Sequence, residues 1–169
     1  MSVLSSKDIR NLITQTPPLV EGYVNLDDQV QANGFELTLR DVGVMESAGT
    51  IAFSNSQRVL TEIAPLPFNA QGFIDLKAGV YLVTYNEIVN LPNDIMAFGR
   101  PRSSLLRCGV NVGTAVWDAG YHGRSQSLIT VHNPHGFRVY KDARLTQLVF
   151  LEMTGESEGY KGIYQGENI

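Results

Sequence analysis

The chain has 169 residues and a formal net charge of −4 at neutral pH, with 43% apolar and 18% charged side chains. That length suits one domain with a proper interior, and the composition is that of an ordinary globular protein. The acidic balance argues against a nucleic-acid track, no apolar run is long enough to span a bilayer, and a lone cysteine, Cys108, excludes an internal disulfide.

The N-terminus lacks the basic-then-apolar layout of a signal peptide, and one thiol fits a reducing cytoplasm, so a cytoplasmic location is expected. Beside Gly109, Cys108 is expected to be a small buried apolar residue and not a reactive thiol. Residues 4–15 read as a short helix. Ser5 is a plausible N-cap, with Asp8 three residues on completing a variant of the capping box. Ile9, Leu12 and Ile13 then share one face, and Pro17-Pro18 ends the helix.

From Leu19 to Phe150 the chain is mostly short β-like runs, for example 35–39, 79–84, 127–131 and 147–151. Turn residues separate them at Asn33-Gly34, Gln71-Gly72, Pro92-Asn93-Asp94, Gly120, Asn133-Pro134 and His135-Gly136. Regular short strands with frequent turns predict an all-β sandwich or barrel. No repeat or composition shift divides the chain. His132 and His135 have a possible ligand spacing, but the Asn-Pro between them predicts a turn, not a metal site.

The most informative stretch is 99–123, GRPRSSLLRCGVNVGTAVWDAGYHG. It holds Arg100, Arg102 and Arg107, with Arg124 just beyond, adjacent hydroxyls at Ser103 and Ser104, and one carboxylate, Asp118. Such a segment in an acidic protein suggests a local anion pocket. Arg102 and Arg107 can supply forked, charge-assisted hydrogen bonds, and Ser103 and Ser104 hydroxyl donors. Each hydrogen bond to a charged group is worth roughly 1.5–3 kcal/mol, so three or four suffice to hold a triphosphate. Asp118 cannot help bind a phosphate, but it can accept a proton from water or hold that water in place. Read alone, R-S-S is also an exposed turn before a strand, and D-A-G a good turn.

The runs Arg102-Ser103-Ser104-Leu105, Trp117-Asp118-Ala119-Gly120-Tyr121-His122-Gly123 and Ala143-Arg144-Leu145-Thr146-Gln147-Leu148-Val149-Phe150 resemble three motifs of the dUTPase/dCTP deaminase superfamily. Asn33-Gly34-Phe35-Glu36-Leu37 resembles its first motif, with glutamate where classical dUTPases carry aspartate. The resemblance covers most of the chain and is closest to a dUTPase with deaminase-like termini. It implies an all-β, distorted jelly-roll or β-clip subunit with a short N-terminal helix over 1–154, and a C-terminal lid, 155–169, that closes over the nucleotide.

The resemblance also implies roles. Asp118 would hold the water that attacks the α-phosphorus of dUTP, releasing dUMP and pyrophosphate. Tyr121 would pack on the deoxyribose and reject a 2′-hydroxyl. Backbone groups around Val112 and Gly113 would face the base, and Gln147 would lie on the phosphate side. Tyr160, Lys161 and Tyr164 would act from the tail, whose alternative reading is a disordered terminus. Mg2+ would bind mainly through the triphosphate, with Glu36 orienting a metal-bound water or, as a bare turn residue, exposed. Arg144 is expected to be a strand-end surface or interface charge. The implied assembly is a homotrimer with sites between subunits, Ser103, Ser104 and Arg107 of one chain facing Asp118 and Tyr121 of another.

Deaminases of the superfamily carry a glutamate base on the strand after the tyrosine loop, three residues before an asparagine. Counting back from Asn133, that position is Thr130, and 124–133 contains no acid in any register. A threonine cannot shuttle the proton. The residues therefore favour dUTP hydrolysis, with a dCTP deaminase or bifunctional enzyme, and a non-catalytic nucleotide-binding member, as alternatives.

Overall fold

The computed structural model describes residues 2–169. In chain order the elements are α1 (Ser6–Ile13), β1 (Val20–Glu21), α2 (Leu26–Gln29), β2 (Val30–Gln31), β3 (Gly34–Met45), β4 (Ile63–Leu66), β5 (Phe73–Leu76) and β6 (Gly79–Tyr85). There follow β7 (Ile88–Asn90), β8 (Ile95–Pro101), α3 (Ser103–Arg107), β9 (Val110–Gly113), β10 (Val116–Trp117), β11 (His122–Gly123), β12 (Gln126–Val131), β13 (Phe137–Tyr140) and β14 (Arg144–Glu152).

The N-terminal helix begins where its cap is written. Ser5 Oγ accepts from Asp8 N–H and Asp8 Oδ2 accepts from Ser5 N–H, closing the capping box. A helix this short is not stable alone. It docks by burying Ile9 and Ile13, each worth about 1.5–3 kcal/mol.

The strands run in the order β10-β8-β14-β3-β6-β12-β9, with β2 and β4 also on β3. All these pairs are antiparallel. β3 pairs with β14 along its first half and with β6 along its second, the register shifting between Leu39 and Asp41. The long strand thereby passes from one curled sheet to the other, and the result is a distorted jelly roll. Phe35, Leu37, Leu39, Tyr85, Ile129, Leu148 and Phe150 fill the interior. Between β3 and β4 an arm carries Ile51 and Phe53 into solvent.

Three local expectations change. The Arg-Ser-Ser run is not a turn but the start of α3, with Arg102 at its N-cap. Cys108 is exposed. It is the C-cap of α3, where only Leu105 reaches the core, so the thiol lies outside. Glu36 is buried, because the first half of β3 is covered on both faces.

A second buried acid sits nearby. Glu87 Oε1 accepts from Gln29 Nε2 at 2.7 Å and Thr38 Oγ1 at 2.5 Å, while Oε2 accepts from Thr38 N–H at 2.8 Å. Burial raises its pKa against the lowering effect of these donors. With the folded-state pKa above the unfolded one, this group's contribution is full at low pH and is lost as pH rises through the carboxylate range. Glu87→Gln removes that slope and turns an amide donor toward Thr38. Its stability at pH 7 should fall by about 1–3 kcal/mol, read as a shift in urea midpoint, with a flatter stability profile between pH 4 and 7.

Candidate active site

Asp118 follows β10, whose Trp117 pairs with Ala97 of β8. The backbone then turns, Tyr121 N–H donating to Asp118 O at 3.1 Å. Gly120 occupies the third position at φ +81°, the sign such a turn demands and side chains resist. Asp118 is left exposed at the tip, and Tyr121 is buried behind it.

The tail is docked, not disordered. Tyr160 N–H donates to Ala119 O at 2.8 Å, Gly166 N–H to His122 O at 2.7 Å, and Arg124 N–H to Glu167 O at 2.9 Å. Gln165 bridges His122 N–H and Gly120 O through its side chain. The crossing is tight, since a Cβ on Gly120 would stand 2.6 Å from Gly159 Cα and 2.9 Å from Tyr160 N.

Turn and tail enclose a cavity of about 410 Å³ whose lining includes Trp117, Asp118, Tyr121, Tyr160, Tyr164 and Glu167. That size suits a small organic ligand. Its polar groups are partly unused: Trp117 Nε1 and Ser125 Oγ are buried with no hydrogen-bond partner among the described residues. Tyr121 Oη donates to Glu167 Oε1 at 2.8 Å, and its ring meets Tyr160 edge-on at 5.8 Å. Burial, then the neighbouring Glu167 carboxylate, hold the Tyr121 phenol above its usual range, and burial raises Glu167 in turn. Asp118 also borders a second cavity of about 430 Å³ with Lys161, whose Nζ meets Glu158 Oε2 at 2.8 Å.

Other expected residues lie elsewhere. Ser103, Ser104 and Arg107 are exposed on α3 and do not line the cavity of their own chain. Trp117 stands at one end of β8 and α3 departs from the other, about 13 Å away for four strand residues. Val112 and Gly113 pair with Ile129 and Leu128, and Ala115 and Val116 form the cavity wall instead. Gln147 pairs in register with Glu36 and Arg100, and its Nε2 donates to Asn33 O at 3.3 Å. His132 and His135 flank a turn in which Asn133 Oδ1 accepts from His135 N–H.

Glu36 joins two arginines. Arg102 Nε donates to its Oε1 at 2.6 Å, and Arg144 Nη1 lies 3.1 Å from Oε2. Arg144 is therefore not a simple surface charge. The second contact lacks hydrogen-bond geometry, so Oε2 keeps an unused acceptor. Glu36 is neither exposed nor free, and Arg102 is half-buried against it.

Sequence reasoning missed Glu167, Ser125 and Trp117 as cavity groups. Glu167 stands 46 residues from Tyr121, and only the docked tail joins them. The alternation of β12 does show that Gln126, Leu128 and Thr130 share the outward face, without an acid.

Comparisons with known proteins agree with this arrangement. A dCTP deaminase-like family model matches residues 3–153. A probable deoxyuridine 5′-triphosphate nucleotidohydrolase of Methanosarcina mazei is 49% identical over 169 residues, covering 99% of each chain. The deoxyuridine 5′-triphosphate nucleotidohydrolase of Methanocaldococcus jannaschii is 38% identical over 142 residues, 83% of this chain and 89% of that one. Among solved structures, the 2′-deoxycytidine 5′-triphosphate deaminase from Agrobacterium tumefaciens superposes with a TM-score of 0.65 at 24% identity, over 88% of this chain. That likeness is one of fold, and this chain spans 48% of the longer one.

Replacing Gly120 by alanine should displace the tail, read as faster proteolysis within 155–169 while the strand core stays resistant. The family match over most of the chain, the full-length relatives and the Asp118–Tyr121 turn lead to one conclusion: the chain belongs to the dUTPase/dCTP deaminase superfamily.

Proposed function

We propose that the protein is a dUTP diphosphatase, hydrolysing dUTP to dUMP and pyrophosphate. The observation that carries this reading is Asp118, an exposed carboxylate at the mouth of a cavity backed by Tyr121. Relatives of full length are named as deoxyuridine triphosphate nucleotidohydrolases. Asp118 holds a water for in-line attack at the α-phosphorus and takes its proton as the new P–O bond forms. The bond to the bridging oxygen breaks and pyrophosphate leaves with that electron pair. Positioning and charge neutralisation supply most of the acceleration. Tyr121 carries the sugar, with Tyr160 and Tyr164 beside it from a tail that acts as a lid and excludes water.

Ser103, Ser104 and Arg107 supply phosphate donors from another chain. Two features support that assembly. The one-chain site lacks α3, and Phe98, Val116, Val80 and Leu128 leave large apolar side chains exposed on strands β8, β10, β6 and β12. The family resemblance makes that assembly a homotrimer, so the expected solution mass is three times that of the chain, and a monomer mass would count against it. Within each subunit Arg102 Nε is tied to Glu36 at the start of α3, and its side chain stays partly exposed, so the guanidinium keeps N–H groups for a phosphate.

Magnesium fits as a cation carried by the triphosphate. The triphosphate itself would supply most of the ligands, with several waters completing the shell, whereas Glu36 is buried between Arg102 and Arg144 and is not open to a metal-bound water within its own chain. When bound, such a cation would neutralise part of the triphosphate's charge. No helix of the described residues is long and apolar enough to cross a membrane. We place the protein in the cytoplasm, where an exposed Cys108 thiol stays reduced.

One observation favours a second reading. Glu167 brings an acid into the cavity although β12 has none, so dCTP deamination would have a carboxylate to use. Separate incubation with dUTP and dCTP decides between them. Pyrophosphate from dUTP alone is expected, whereas ammonia from dCTP would favour the deaminase, and binding without turnover a non-catalytic protein. Asp118→Asn should keep affinity for a non-hydrolysable dUTP analogue within about threefold while lowering kcat by roughly 10²–10⁴-fold. Near-normal turnover in that variant would refute the assignment.

A further inference from the structure

We infer that Glu167 is a positioning residue that sets discrimination between deoxyribose and ribose by fixing the Tyr121 ring. The inference rests on Tyr121 being the sugar platform.

A ring that rejects one additional oxygen must not retreat when that oxygen arrives. Placement to about 0.5 Å is what such sites require. A phenyl ring anchored only at Cβ swings at its far edge, so the contacts at that edge decide how firm the platform is. Tyr121 is gripped there. Its hydroxyl donates to Glu167 Oε1 at 2.8 Å. Gly123 packs directly behind the hydroxyl, since a Cβ on that glycine would lie 2.7 Å from Tyr121 Oη. The Tyr160 ring closes the side edge-on.

Glu167 is itself well held. Its carbonyl accepts from Arg124 N–H at 2.9 Å, and the preceding Gly166 N–H donates to His122 O at 2.7 Å. Its backbone forms a parallel bridge with Gly123, which extends the β1-β7-β11 sheet by one residue. The hydroxyl acceptor is therefore supplied only when the last turn of the tail is seated. Sugar selectivity becomes a property of the closed tail, and an open tail leaves the ring tip without its partner. A carboxylate acceptor makes this a charge-assisted bond, stronger than one between neutral groups.

The test uses the full chain, with kcat/KM measured for dUTP and for UTP in the presence of Mg2+. Glu167→Ala and Tyr121→Phe should each lower the dUTP-over-UTP ratio by about tenfold. The double variant should lower it no further, because both changes remove the same bond. Glu167→Gln keeps a carbonyl acceptor and should recover most of the ratio. Tyr121→Ala separates the two readings. If it collapses the ratio while Glu167→Ala leaves it at the starting value, Tyr121 is the sugar platform and the positioning role of Glu167 is overturned. If Tyr121→Ala also leaves the ratio unchanged, the platform reading fails and the inference falls with it. Strictly additive effects of Glu167→Ala and Tyr121→Phe would likewise overturn a shared bond.

Discussion

The first half of β3 is covered on both faces, and much of the molecule follows from that constraint. A strand in that position usually reads as a continuous apolar run, yet this one alternates Phe35, Glu36, Leu37, Thr38, Leu39. The apolar members enter the core. The polar ones must find partners or meet the full desolvation cost of a buried polar group. Glu36 meets Arg102 and Arg144, and Thr38 meets Glu87 and Asn86. Each contact reaches far along the chain, so β3 ties together segments that sequence proximity would not. The Glu36 pair pins the junction between β8 and α3, and so fixes where Ser103, Ser104 and Arg107 are displayed.

The Asp118 end is organised differently, by backbone instead of buried charge. The turn from Asp118 to Tyr121 offers carbonyl groups at Ala119 and Gly120, β11 adds that of His122, and the tail takes all three. Such a seat gives order without a large apolar interface, which would suit the proposed lid. Two glycines, Gly120 and Gly159, allow the chains to cross at a separation no side chain tolerates. The cavity is thus made by closure, with Trp117 Nε1 and Ser125 Oγ buried behind its lining.

What the sequence made legible was local. Ser5 and Asp8 marked the helix start because a capping box is a four-residue event. Asn33-Gly34, Gly120 and Asn133-Pro134 marked turns because their backbone preferences are intrinsic. The strands showed through their alternation, although β3 and β14 extend beyond the expected runs. What stayed hidden was non-local. Glu36 looked like an exposed turn neighbour because its partner Arg102 stands 66 residues away. Arg102-Ser103-Ser104 gave no helix signal, since the cap has no side-chain hydrogen bond and α3 holds only through Leu105 in the core. Cys108 followed the same error: its hydrophobicity argued for burial, but the end of a short surface helix left it outside. Glu167 carried no local mark at all.

The separation of α3 from Asp118 is the most consequential of these non-local facts. β8 and β10 are antiparallel neighbours, so the segment entering α3 and the segment leaving toward Asp118 run to opposite ends of the same strand pair. No rotamer change brings Ser103 or Arg107 across a strand's length to the carboxylate. A fold that carries the proposed phosphate donors and the proposed water-holding acid within 99–123 therefore keeps them apart in a single chain. The same separation becomes useful once chains associate. In the proposed assembly each copy would present donors at one end and an acid at the other, and rotation about a common axis would pair unlike ends and complete several identical sites at once. On the proposed reading activity would depend on assembly as well as on folding, and Phe98 and Val116 lie exposed on the two strands that enforce the separation.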